Sequence, residues 1–169
     1  MKVTTMQVNH LRTVFNQMLG TLRLSAEDCK KAFQELEQVV PDADVKDAMQ
    51  SGVLLSDSVL SKISQCCEIV GQKPLTVHES LDEDFVKDFR RELAQIRSAD
   101  ARGLFVLAKA SQLIHLHMGT EVALLASAQL AGHYRVGTLL EDCLEDKLAF
   151  VERTRRLIYK RMPHRHAAA

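Results

Sequence analysis

Four long stretches of this chain repeat their apolar residues at alternating steps of three and four, a spacing that closes on one face of an α-helix and on nothing else. The first seam is Phe15, Met18, Leu22, Ser25, Cys29, Ala32, Leu36 and Val39. The second runs Met49, Val53, Ser56, Leu60, Ile63, Cys67, Val70, and the third Leu104, Leu107, Ser111, Ile114, Met118, Glu121, Leu125, Ala128. Val136, Leu140, Cys143, Lys147, Phe150, Thr154 and Leu157 form the fourth. Turn signals fall between them, at Pro41–Asp42, Gly71 with Pro74, Ser98–Ala99–Asp100 and Gly132, and Pro163 closes the last. Four seams of this length predict antiparallel helices at shallow crossing angles, an all-α four-helix bundle. A shorter additional helix is predicted from Ser80, where Ser80 and Glu83 spell a capping box, through an acidic, exposed segment to Arg97. Gly20 and Ser25 leave open a break in the first helix.

Composition fits this picture and narrows the function classes. The 169 residues make one domain, taken here as 1–162, with 163–169 as a disordered tail. Lys and Arg number 22 and Asp and Glu 22, so the basic excess of a general nucleic-acid binder is missing. Hydrophobic residues at 46% suffice for a core, and 5% aromatics favour helices over sheets. No run of about 20 uncharged apolar residues is present, so no membrane span is expected. The opening MKVTTMQVNHLRT has no signal-like apolar stretch. Cys29, Cys66, Cys67 and Cys143 form no C-x-x-C pair. They read as small apolar core residues, with a redox thiol as the alternative. A reduced, cytoplasmic protein is the expectation.

Charge is distributed unevenly. Between Arg102 and Arg135 the only formally charged residues are Lys109 and Glu121. A helix this poor in charge is expected to be buried by neighbours on most sides or by a second subunit. It is placed centrally, and a homodimer is expected. The last helix carries Arg153, Arg155, Arg156, Lys160 and Arg161. They are expected to complement the helix dipole, to meet the acidic LDEDFVKD segment, or to touch an acidic protein partner.

Chemistry in a helical bundle would sit in its core. A di-iron or di-manganese centre needs carboxylates and Glu-x-x-His pairs projecting inward from facing helices. No Glu-x-x-His occurs on the second, third or fourth long helix. The residual metal candidates are Glu27, His117, Glu121 and Glu145, with Asp57, His115 and Glu141 more remote. His117 and Glu121 are four apart and share a helix face, as a metal pair or as a buried hydrogen bond. His115, two residues from His117, points elsewhere. Lys147 lies on the apolar seam between Cys143 and Phe150, as Glu121 does between Met118 and Leu125. Opposite charges on core lines of adjacent helices predict a pair, the alternative being a lysine that snorkels to solvent. No Gly-rich phosphate loop, nucleophile elbow or Cys–His hydrolase signature is present, so no catalytic or cofactor-binding residue is assigned.

The runs VFNQMLGTLRLSAEDCKKAF, DADVKDAMQSGVLLSDSVLSKISQ, ARGLFVLAKASQLIHLH and LASAQLAGHYRVGTLLEDCLEDKLAF, in this order, resemble the YciE/YciF-like branch of the ferritin-like superfamily. The resemblance implies a ferritin-like bundle, commonly dimeric, in bacterial proteins linked to stress responses. It also marks departures. Glu27 keeps the first-helix carboxylate, but the family's HLEET run is Gly52-Val53-Leu54-Leu55-Ser56 here. EHYE becomes Ile114-His115-Leu116-His117, and the acidic run of the last helix keeps Glu145 and Asp146 before turning to Lys147. A core with Leu and Lys in place of carboxylates cannot balance two divalent cations. The expectation is a bundle that has lost its metal centre, with Lys147 paired to Glu27 or Glu121, no cofactor, and a structural or protein-interaction role. Two alternatives stand beside it. One is a residual iron or manganese site with oxidase or peroxide-handling activity, and the other a helical adaptor that shares only ferritin architecture.

Overall fold

A computed structural model describes residues 3–73 and 82–162. The chain forms α1 (Val3–Val39), α2 (Ala43–Val70), α3 (Asp82–Gln95), α4 (Ala99–Leu130) and α5 (Tyr134–Lys160). Pairs α1–α2, α2–α5, α4–α5 and α1–α4 pack side by side and close a ring of four long helices. The short α3 lies across the outside of α1 and α4. Helix α1 runs unbroken through Gly20 and Ser25, because Leu19, Leu22 and Ala26 bury on one continuous face. The predicted start of α3 at Ser80 and the 163–169 tail fall outside the described residues.

Local chemistry sets the helix ends. The Asp42 carboxylate caps α2 by accepting from the Val45 N–H at 3.0 Å. At its other end Gly71 adopts φ 64°, and the amides of Gly71 and Gln72 return to Glu68 and Cys67 carbonyls. That left-handed residue favours glycine and stops the helix. Ser98 caps α4, accepting from Ala101 N–H at 3.4 Å. Gly132 at φ 76° turns the chain into α5.

The core follows the predicted seams with two offsets. On α5 the seam is buried from Val136 to Thr154, and Lys147 is buried with it. On α2 the buried line is Met49, Gly52, Ser56, Val59, Ile63 and Cys66, so Val53, Leu60 and Cys67 flank the core. At the chain's turns Val40 is buried where Val39 was expected, and Leu104 is exposed. Both stand at helix ends, where neighbours no longer enclose the whole face. Cys29, Cys66 and Cys143 are buried as small core residues, and Cys67 is half-buried.

Helix α4 is not central. No helix of a four-membered ring has neighbours all round, and α4 leaves Leu116, Val122 and Leu130 exposed. The basic end of α5, for which the helix dipole, the LDEDFVKD segment of a neighbour and an acidic partner stand as alternatives, meets the start of α2 within the chain. Arg161 bonds Asp42, Lys160 bonds Asp44 at 2.9 Å, and Arg153 bonds Asp47 and Ser51, all on the first turns of α2. Antiparallel packing sets the end of α5 beside the start of α2. The α3 charges instead serve its own docking, with Arg90 on Glu35 and Lys109 on Glu92 at 2.9 Å. Phe89 stacks on Phe105 beneath them, ring centroids 5.4 Å apart.

Gly52 shows how tightly α1 and α2 approach. A Cβ there would stand 2.7 Å from the Phe33 ring, which is itself fully buried and edge-on to Phe150. Gly52→Ala is therefore expected to destabilise the fold by about 1–3 kcal/mol through overpacking, read as a lower midpoint in denaturant unfolding. An unchanged midpoint would show that the α1–α2 contact is looser than described.

Candidate functional site

The bundle core holds one concentrated group of polar side chains, contributed by different helices at one level. Glu121 and His117 project from α4, one turn apart. Lys147 comes from α5, and Cys29 from α1. Lys147 Nζ donates to Glu121 Oε1 at 2.6 Å, with the lysine 4% and the glutamate 0% exposed. Lys147 thus stays in the core instead of snorkelling. His117 Nδ1 lies 3.4 Å from Cys29 Sγ, a contact between α4 and α1 that spacing along either helix does not reveal.

The remaining candidates stand apart from this group. Glu27 pairs with Arg23 at 3.0 Å on the half-exposed outer face of α1, not with Lys147. Glu145 and Glu141 are exposed on α5, and His115 is exposed with Nδ1 2.7 Å from the Ser111 carbonyl. Asp57 accepts from Lys30 at 2.6 Å at the surface. Of the four residual metal candidates, only His117 and Glu121 face the core. A di-metal centre does not fit these residues: two carboxylates of the set lie outside, and an ammonium occupies one oxygen of the third.

Electrostatics make the core group costly. Burial pushes the Glu121 carboxyl above its ordinary value, with Lys147 as the main opposing influence and His117 and Lys62 adding to it. Glu121 Oε2 is buried with no hydrogen-bond partner among the described residues. One oxygen is therefore met by an ion pair, while the other is buried without a protein partner among the described residues, at a desolvation cost. Cys143, close enough to feel Glu121 and Lys147, is pushed up to about 12, mainly by burial. Cys66 is likewise pushed up to about 12 by burial, with Cys67 adding to the effect. Thiols held protonated in this way are poor nucleophiles at neutral pH.

Apart from this group, a cleft of about 440 Å³ lies at the end of the bundle, between the start of α1, the end of α2 and the α4–α5 turn. Phe15, Val70 and Leu130 give it apolar walls, and Arg12, Asn16 and His133 a polar rim. His133 starts α5 without a side-chain cap and packs its ring 6.5 Å from Phe15.

With the fold and core in view, the chain can be placed among known proteins. A family model described as a domain of unknown function, DUF892, matches residues 4–166. No curated protein matches the chain. The Escherichia coli stress protein YciF superposes with a TM-score of 0.82 at 16% identity, covering 89% of this chain and 96% of that one. YcfI of Rhodopseudomonas palustris, described as a candidate structural protein, gives 0.80 at 16% identity, covering 86% and 92%. The fold is a ferritin-like helical bundle of the YciF type.

Two outcomes follow from the buried pair. Lys147→Met or Glu121→Leu alone strands the other charge and is expected to cost about 3–5 kcal/mol, whereas the double variant is expected to be near neutral or more stable. Denaturant titration of the three proteins decides it, and additive losses would show that the residues do not act as a pair. The sign of the pH effect follows from the raised carboxyl. Between the ordinary value of 4.5 and the raised one, the folded state holds a proton that the unfolded state has released. Relative to Glu121→Gln, the wild type is therefore expected to lose stability as pH rises through that window, measured by unfolding at a series of pH values.

Proposed function

The chain belongs to the DUF892 family, and from that premise we propose that it is a ferritin-like bundle of the stress-response type in which an internal ion pair replaces a di-metal centre, leaving a structural or protein-interaction module. The observation that carries this reading is the 2.6 Å contact between Lys147 and Glu121 inside the core. A di-metal centre supplies about four positive charges, which surrounding carboxylates neutralise. Here one ammonium meets one carboxylate, the other two acidic candidates face solvent, and the helices bury Leu55 and Ile114. The charge balance closes within the chain. The thiols nearby are protonated core residues, which fits a scaffold better than redox chemistry.

One observation supports the second reading, a mononuclear site. Glu121 Oε2 is a buried acceptor without a hydrogen-bond partner among the described residues, one turn from His117. The set is still short of ligands, because no group of three His, Cys, Asp or Glu able to hold a metal occurs among the described residues. Oxidase or peroxide-handling chemistry would need such a group.

Elemental analysis of the purified protein, together with Lys147→Glu, separates the two readings. The ion-pair reading expects no stoichiometric iron or manganese in the wild type, and a Lys147→Glu variant that is strongly destabilised with or without added metal. Two tightly bound irons or manganeses per wild-type chain would sink it. So would a Lys147→Glu variant that binds iron or manganese and regains its wild-type melting temperature.

A further inference from the structure

The cleft at the end of the bundle differs from other hollows of the surface in its charge. Its apolar wall is assembled from Phe15 of α1, Val70 of α2, Leu130 of α4 and Ala131 in the turn. A hollow of about 410 Å³ adjoins it, and the two share Arg12, Asn16 and Gln72. Lys73 adds a second cation on that side and His133 an imidazole on the other. No aspartate or glutamate lines either hollow. The Gln72 amide lies between the Asn16 amide and the Arg12 guanidinium, so a neutral group stands beside that arginine where an acid would cancel its charge.

The hollows beside α3 show the contrast. Both include Glu35, which holds Arg90, and in one of them Asp28 holds Lys31 at 3.1 Å. Positive charge is cancelled there within the lining, whereas at the bundle end it borders an apolar wall with no acid on it. Leu130 is 81% exposed at the rim and has apolar surface left to bury. A volume of about 440 Å³ falls within the range of about 300–1,000 Å³ common to small-molecule sites, which pair apolar walls with a few polar groups. A carboxylate accepts charge-assisted hydrogen bonds from a guanidinium and its neighbouring amides. An apolar body attached to it would cover the wall, and a cationic head would be repelled.

We propose that this cleft binds a small amphipathic carboxylate, its head on Arg12 and its straight apolar tail against Phe15, Val70 and Leu130. The site goes beyond the ion-pair reading of the core and does not rest on it. Leu130 follows Glu121 by nine residues, roughly 13 Å of helix at about 1.5 Å per residue.

Calorimetric titration of the full chain with octanoate tests it. One octanoate per chain is expected, with a dissociation constant on the order of 100 μM for a ligand of about ten heavy atoms. Hexanoate is expected to bind about tenfold more weakly, since each buried methylene contributes about fourfold. Octylammonium and acetate, which lack the anionic head and the tail, should each bind at least tenfold more weakly than octanoate. Arg12→Gln, at an exposed residue, is expected to weaken octanoate at least tenfold, and Leu130→Asn several-fold. Lys87→Gln, in the hollow of mixed charge, should leave it unchanged. No saturable octanoate binding at about 1 mM, tenfold above such a constant, overturns the assignment. So does octylammonium binding as tightly as octanoate, or full affinity in Arg12→Gln. Vesicles of phosphatidylglycerol are expected not to co-sediment with the chain. Vesicle binding without octanoate binding would assign the cations to a lipid surface and overturn the cleft. Metal content enters none of these readouts, so a failure here leaves the reading of the core standing.

Discussion

A buried lysine must be paired inside a protein or leave it, and Lys147 is paired. Its ammonium sits on Glu121 from the neighbouring helix, and that contact fixes the register of α4 against α5 more tightly than apolar packing would. A slide of one turn on either helix would strand two charges in the core, a loss far larger than that of any single leucine contact. The neighbouring side chains follow from this. His117, one turn before Glu121, reaches Cys29 on α1. Cys143, one turn before Lys147, is shielded beside the pair. The buried ion pair, His117 and Cys29 thus form one polar group on three helices, while Ser56 and Thr154 bond carbonyls of their own helices.

The surface is organised by the same antiparallel order. Because the end of α5 returns to the start of α2, the basic residues Arg153, Lys160 and Arg161 meet Asp47, Asp44 and Asp42. These are exposed ion pairs and add little stability individually. Their larger effect is to use up the basic helix end, which otherwise would read as a docking surface for an acidic partner. Helix α3 uses Arg90 and Glu92 in the same way, against Glu35 of α1 and Lys109 of α4. The outer face of α4 between Leu104 and Leu130 carries no Asp, Glu or Arg, and its one lysine, Lys109, turns to α3. The neutral total of 22 positive and 22 negative residues is thus a sum over faces that differ sharply.

The three-four spacing of apolar residues made the four long helices and their order legible before any coordinates, and so did the glycine and proline breaks. It also placed Lys147 and Glu121 on core lines, because a charge amid an apolar seam stands out against its neighbours. Other features were beyond it. Whether Glu27 or Glu121 answers Lys147 depends on which helix is adjacent at that level, and Glu27 turns out to face solvent beside Arg23. Periodicity alone also misplaces a stripe by up to one residue, as on α2, because both sides of a seam are apolar and only the neighbour decides which side is covered.

What the sequence by itself determined is an all-helical chain of four long seams, with a lysine and a glutamate set on its core lines. Those conclusions rest on period and residue type, which are local. Only the tertiary structure decided that Lys147 and Glu121 share one contact, that Cys29 meets His117, and that the basic helix end is spent on α2. Each of these joins residues 26 to 119 positions apart. Such contacts exist only once antiparallel packing has set which helix lies beside which, and no spacing within a single helix encodes that.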